Sequence, residues 1–257
     1  MAELVHREDD RGIATLTLDS PRNRNALSAQ LVAELTAHLD AAASDDGIRA
    51  VVLTHTGTVF CAGADLKEQA GEGGPQQGTQ RMLALMRGIV ELPKPVVARV
   101  DGAVRAGGIG VVGACDVALA SPAASFAFTE VRLGLAPAII SLTTLGRLTE
   151  RAASRYYLTG ETFDAHAAAT MGLLTTVAAD PAGLDAEVSA VSDALRACSP
   201  QGLAETKPLT TARVRAALSA GAEEMQALSA RLFGSDEARE GMLSFLEKRP
   251  PRWAASP

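Results

Sequence analysis

The chain has 257 residues, 47% of them hydrophobic and 21% charged, a balance that specifies a folded protein with ample core and excludes a disordered one. A formal net charge of −6 argues against a nucleic-acid footprint over the whole surface, and the longest apolar runs, such as Ile109 to Ala114, are too short to cross a bilayer. Met1 to Arg11 is acidic and lacks an apolar stretch, so it reads as neither a secretory signal nor a transit peptide; Cys61, Cys115 and Cys198 have no metal-ligand spacing and read as reduced thiols of a cytoplasmic protein.

Gly12 to Asp19 alternates in the manner of a strand and stops at Ser20-Pro21. Ser28 then caps an amphipathic helix, with Leu31, Leu35, Leu39 and Ala42 on one face, that ends before Asp45-Asp46-Gly47. Ala50 to Thr54 is a β-branched run of the buried-strand type. Gly71 to Gly78, glycine- and glutamine-rich, predicts a surface loop, and Thr79 to Glu91 a helix broken by Pro93 and Pro95. Pro95 to Val100 is the next strand, closed by Asp101-Gly102. Gly107-Gly108 opens an apolar helix to Ala114, and Val117 to Ala120 is again strand-like. Strands and helices alternate up to about Val177, the pattern of an α/β fold. Beyond it come helices alone, over Leu184–Ala197, Gln201–Ser219, Ala222–Phe233 and Asp236–Glu247. A division near Ser199-Pro200 sets a core of residues 1–198 against a helical region of residues 199–257.

Two segments are rich in exposed backbone. Phe60-Cys61-Ala62-Gly63-Ala64-Asp65-Leu66-Lys67-Glu68 follows a strand, and its small residues let main chain approach a ligand. Ala106-Gly107-Gly108-Ile109-Gly110 lies between a strand and a buried helix, where a glycine turn presents free N–H donors at the positive end of the helix dipole. Converging, two such donors form an oxyanion hole for a thioester carbonyl becoming an enolate. Taken singly, each segment is equally well a tight loop of an α/β domain.

Together these residues carry a resemblance to the enoyl-CoA hydratase/isomerase (crotonase) family. Phe60 to Glu68 resembles its first oxyanion-loop motif, and Asp101-Gly102 with Ala106-Gly107-Gly108 its second. The resemblance runs nearly end to end, through Asn25-Ala26-Leu27, Ala114-Cys115-Asp116, Leu158-Thr159-Gly160, Arg239-Glu240-Gly241-Met242 and Glu247-Lys248-Arg249-Pro250-Pro251-Arg252. Cys61 to Glu68 and the Lys-Arg-Pro-Pro-Arg tail are most similar to the methylglutaconyl-CoA hydratase branch. The resemblance implies a crotonase-like spiral of ββα units with C-terminal helices that build a homotrimer or hexamer. It implies an acyl-CoA substrate, with no cofactor beyond the coenzyme A moiety of that substrate, no metal and no membrane partner. RNA binding is suggested by that one branch alone, and the acidic balance argues against it. By motif position, the N–H groups of Ala64 and Gly107 would bind the thioester oxygen. Cys61, Ala62 and Leu66 would line the adenine pocket, and Arg24 and Lys248 are candidates for the phosphates, Lys248 from a neighbouring subunit.

Hydratases of the family carry two glutamates. The first is expected three residues beyond Gly107, where this chain has Gly110; the second is present as Glu130 in Phe128-Thr129-Glu130. A single carboxylate can take a proton from a substrate carbon and return it, which suits double-bond isomerisation and handicaps water addition. If the missing carboxylate limits hydration, Gly110→Glu is expected to raise it, provided the new side chain fits. A non-catalytic acyl-CoA-binding homologue is the competing class. Pro137-Ala138-Ile139-Ile140 predicts a bulkier, more apolar pocket floor. Arg105 faces either a substrate carboxylate or, as the favoured expectation, a nearby acid. Asp65 orders its loop, and His6, His38, His55 and His166 are surface or packing residues.

Overall fold

The computed structural model describes residues 2–69 and 74–254. β1 (Val5–Asp10) and β2 (Ile13–Leu18) form an antiparallel hairpin over Arg11 and Gly12, both at positive φ as a two-residue turn demands. β1 lies within the stretch read above only as an acidic terminus; its last three residues are exposed, so apolar alternation does not reveal it. In α1 (Ala29–Ser44) the Ser28 hydroxyl accepts from Leu31 N at 3.2 Å, a cap that contributes about 1 kcal/mol. Leu31, Leu35 and Leu39 lie on the buried face, each contributing about 1.5–3 kcal/mol.

The chain then winds in repeating turns. β3 (Ala50–His55) and β4 (Val59–Cys61) lead to α2 (Leu66–Gln69) and α3 (Gly74–Glu91). β5 (Val96–Val100) and β6 (Ala103–Arg105) lead to α4 (Gly107–Ala114). β7 (Val117–Ala120) and β8 (Ser125–Ala127) lead to a short 3-10 helix (Thr129–Leu133) and α5 (Ala138–Thr144). The first strand of each turn joins a six-stranded sheet of order β1-β2-β3-β5-β7-β10, and the second joins a four-stranded sheet of order β4-β6-β8-β9. Neighbours are parallel except at β1–β2 and β8–β9. This is the spiral of ββα units that the motifs implied. α6 (Glu150–Thr159), β9 (Phe163–Asp164), α7 (Ala165–Thr170) and β10 (Thr176–Val177) complete the sheets, and α8 (Pro181–Arg196) covers the larger one.

α9 (Pro200–Thr210), α10 (Ala212–Phe233) and α11 (Asp236–Leu246) follow. α10 packs on α3 and α5, burying Val214 and Leu218 in the same core as the sheets. Two boundaries differ from the sequence reading. Gly74 to Gly78, expected as loop, is the start of α3; the remainder of that loop, residues 71–73, lies outside the described residues. The break expected at Ser219 to Gly221 falls instead at Thr211, where α9 gives way to α10. Gly221 stays helical because it is a contact point: a Cβ there would lie 2.8 Å from Leu142 Cδ2 of α5.

Candidate active site

Three adjacent parallel strands of the smaller sheet, β4, β6 and β8, end side by side, and each hands over to one segment of the site. After β4 comes Ala62 to Asp65, after β6 Ala106-Gly107, and after β8 the 3-10 helix bearing Glu130. In parallel sheets, ligands gather at such carboxyl ends.

The two donor loops touch. Gly63 sits at φ +90°, and a Cβ on it would fall 2.9 Å from Ala106 Cβ and 3.2 Å from Gly107 N. Leu27 N donates to Gly63 O at 2.8 Å and Ala62 N to Arg24 O at 3.1 Å, so the first loop is pinned to the segment before α1. Gly107 is the first residue of α4, and its N–H has no acceptor within the helix. Among the described residues, neither it nor the Ala64 N–H donates to a backbone oxygen. Ala106 holds φ 46°, ψ −120°, a conformation that costs a non-glycine residue about 1–3 kcal/mol. Its N–H donates to Ala127 O at 3.2 Å, which ties the second loop to the strand before Glu130.

Ala64, Gly107 and Glu130 line one cavity of about 470 Å³. Most of its wall is apolar, with Met82, Ile139, Ile140, Leu232 and Phe233 among the contributors. The turn carrying Glu130 is closed by Gly134 at φ 71°, whose N–H donates to Glu130 O, as does Leu135 N at 3.0 Å. Its carboxylate Oε2 is buried and has no hydrogen-bond partner among the described residues. Burial pushes the Glu130 carboxyl up to about 7. Behind it, Phe128 packs at a tilt against Tyr157 with ring centres 4.3 Å apart, and the Tyr157 hydroxyl meets Thr144 Oγ1 at 2.5 Å. A carboxyl half-ionised at neutral pH can both take up and return a proton.

Gly110 lies inside α4 and is fully enclosed. A Cβ at this position would fall 2.6 Å from Ile140 Cγ2 and 2.7 Å from Met86 Sδ. The space that a first glutamate would need is therefore filled by a leucine-sized side chain and a thioether, and Gly110→Glu does not fit this packing. Sequence reasoning placed Ile140 on the pocket floor but missed that it blocks Gly110.

Of the other expected residues, Arg24, Ala62 and Leu66 line the cavity. Cys61 is placed elsewhere: its side chain is fully buried against Gly108, where a Cβ would lie 3.1 Å from the thiol sulfur, and burial pushes that thiol up to about 12. Lys248 is exposed in the turn after α11, at φ 55°, and is not part of the cavity wall of this chain. Arg105 has no acid in ion-pair range among the described residues. Its guanidinium instead donates to Ser125 O at 2.6 Å, Val104 O at 2.9 Å and Ser125 Oγ at 3.1 Å, because it folds back along β8. Asp65 accepts from Asn23 Nδ2 at 2.7 Å and so braces the first loop. His55 accepts from Asp101 N at 3.1 Å, and burial lowers its proton affinity. Among the described residues no cluster of His, Cys, Asp and Glu could hold a metal.

Residues 8–256 match the family described as enoyl-CoA hydratase/isomerase. The chain is 53% identical to an enoyl-CoA hydratase from Mycobacterium avium and superposes on its crystal structure with a TM-score of 0.91, over 99% of this chain and 100% of that one. An enoyl-CoA hydratase/isomerase from Pseudoalteromonas atlantica T6c is 28% identical with a TM-score of 0.88, over 98% and 100% of the two chains. The mitochondrial methylglutaconyl-CoA hydratase of Rattus norvegicus is 30% identical over 258 residues, 96% of this chain and 80% of that protein.

Proposed function

The chain belongs to the enoyl-CoA hydratase/isomerase family, and from that premise we propose that it shifts the double bond of an unsaturated acyl-CoA thioester, with Glu130 as the proton-transfer group. The thioester oxygen accepts from the N–H groups of Ala64 and Gly107. The Glu130 carboxylate removes a proton from the α-carbon of a 3-enoyl thioester. The resulting negative charge spreads onto the thioester oxygen, where the two donors and the positive end of α4 stabilise it. Protonated Glu130 then returns the proton to the γ-carbon, leaving the conjugated 2-enoyl thioester and a regenerated carboxylate. Arg24, Ala62 and Leu66 are assigned to the coenzyme A moiety, as cavity-lining residues at the motif positions.

One observation carries the preference for isomerisation over hydration. The cavity holds Glu130, whose Oε2 is buried and has no hydrogen-bond partner among the described residues, while the position of a second carboxylate is shut by Ile140 and Met86. The test compares turnover of a 3-enoyl-CoA with hydration of a 2-enoyl-CoA by the wild type and by Glu130→Gln. Isomerisation is expected to dominate, and Glu130→Gln to lower kcat by on the order of 10²–10⁴-fold with CoA-ester affinity nearly intact. Because the ionised form is the base, kcat/KM should rise tenfold per pH unit below about 7 and level off above it. Faster hydration than isomerisation in the wild type would sink this preference. Tight CoA-ester binding without turnover of any thioester would make the protein an acyl-CoA-binding homologue.

A further inference from the structure

We infer that α11 is a positioning element for Glu130, seated on the turn that carries it through Gly241 and latched by the pair Glu240 and Arg249. The inference rests on the reading of Glu130 as the proton-transfer group.

The seat is a contact of backbone on backbone. A Cβ on Gly241 would lie 2.4 Å from the carbonyl carbon of Leu133, and one on Gly134 would lie 2.6 Å from that of Glu237. No side chain fits between α11 and the end of the 3-10 helix. The turn that holds Glu130 is therefore fixed from outside by α11 as much as by its own hydrogen bonds. Leu133 and Leu135 from that turn and Phe245 and Leu246 from α11 line the same cavity as Glu130. Lifting α11 would move the carboxylate and let water reach it.

The latch closes the last turn of α11. Glu240 is buried, and Arg249 grips it with both prongs, Nη1 to Oε1 at 2.7 Å and Nη2 to Oε2 at 3.1 Å. Arg252 N adds a third donor at 3.0 Å. Between these residues the chain reverses at Lys248, and Arg249 N donates to Ser244 O at 3.0 Å. A planar fork gripping a carboxylate is directional, so the tail holds α11 at one orientation rather than merely nearby. The charged and titratable groups around Glu130 are Arg132 on its own turn, Arg24, Asp65 and Arg105 on the facing loops, and Tyr157 of α6. The latch adds no charge to this set. It acts on Glu130 through position and exclusion of water.

The experiment compares wild type, Arg249→Gln, Arg249→Lys, Gly241→Ala and Glu130→Gln. Two quantities are read: kcat, and the titration of Glu130 by carbon-13 NMR of glutamate-labelled protein, its signal identified by absence from Glu130→Gln. Arg249→Gln and Gly241→Ala are expected to lose at least about tenfold in kcat, since small misplacements at a reacting centre cost up to about 10²-fold. Their Glu130 midpoint is expected to fall from about 7 toward the ordinary carboxylate range, with Arg249→Lys in between. A purely structural latch would lower the melting temperature and leave the midpoint in place. A folded Arg249→Gln with wild-type midpoint and wild-type kcat overturns the inference, and decides it if Gly241→Ala fails to fold. Full activity of Glu130→Gln would overturn the proton-transfer reading instead, while the NMR midpoint still reports whether α11 positions the carboxylate.

Discussion

Glu130 is placed where its charge is costly, and the cost has a pH signature. Its carboxyl titrates near 7 in the folded protein against an ordinary value of 4.5, a difference worth about 3 kcal/mol. Below pH 4.5 both folded and unfolded chains carry the proton, and nothing is lost. As pH rises from 4.5 to about 7 the unfolded chain ionises first, so stability falls, and above 7 the penalty is complete. Glu130→Gln should therefore gain stability in denaturant titrations in a pH-dependent way: no gain below 4.5, growth across that window, and a level advantage above it. The same gain at every pH would show that the carboxylate is not buried as described. At Gly110 the condition on the sequence expectation, that a glutamate side chain fits, is not met. Gly110→Glu alone should be destabilised and show no added hydration of a 2-enoyl-CoA. Gly110→Glu with Ile140→Ala, which frees the blocked volume, should hydrate at least about tenfold faster than the single variant, within the range of general acid–base help. An active single variant would refute the packing argument. The glycines of the donor loops stood out because close backbone approach restricts residue type, and Glu130 as a candidate was marked by its position in the family motif. Ile140 as a plug was not, since an isoleucine in an apolar run has many destinations.

Among the elements, the larger sheet and most helices could be read from periodicity. β4, β6, β8, β9 and β10 could not, because two or three residues are too few to show alternation. Yet β4, β6 and β8 are the strands that deliver the site. Their ends were recognised by motif before the strands themselves were visible. The seat of α11 was hidden for a different reason: close packing at Gly241 joins residues about a hundred positions apart. α9 shows how a C-terminal element is tied to the body. Lys207 is buried and reaches Asp116 Oδ2 at 2.8 Å, Ile89 O at 2.8 Å and Lys94 O at 2.9 Å. Lys207→Met should cost about 3–5 kcal/mol in chemical denaturation by leaving Asp116 charged without its counter-ion, and Lys207→Met with Asp116→Asn should recover most of it. Additive losses in the double variant would show that the pair does not act as a unit.

At the scale of the whole molecule, no helix among the described residues is long and apolar enough to cross a membrane. Large apolar side chains stay exposed on several faces, including Leu158 at 78%, Leu209 at 76% and Trp253 at 47%. These faces are in keeping with the trimer or hexamer that the resemblance implies, which we propose for this chain. Sedimentation should give three or six times 26.5 kDa, and a dilute, fully active monomer would count against it. The spiral also sets an order on the birth of the site. Because each turn adds one strand beside the last, a chain emerging from the ribosome completes the first donor loop, then the second, and only then the carboxylate. Each addition is a parallel pairing across a long crossover, the slow kind of contact to close. Even with β8 in place, the seat for Glu130 is missing until residues 237–249 have been made. Synthesis must pass α11 before the carboxylate can be held where a substrate would meet it.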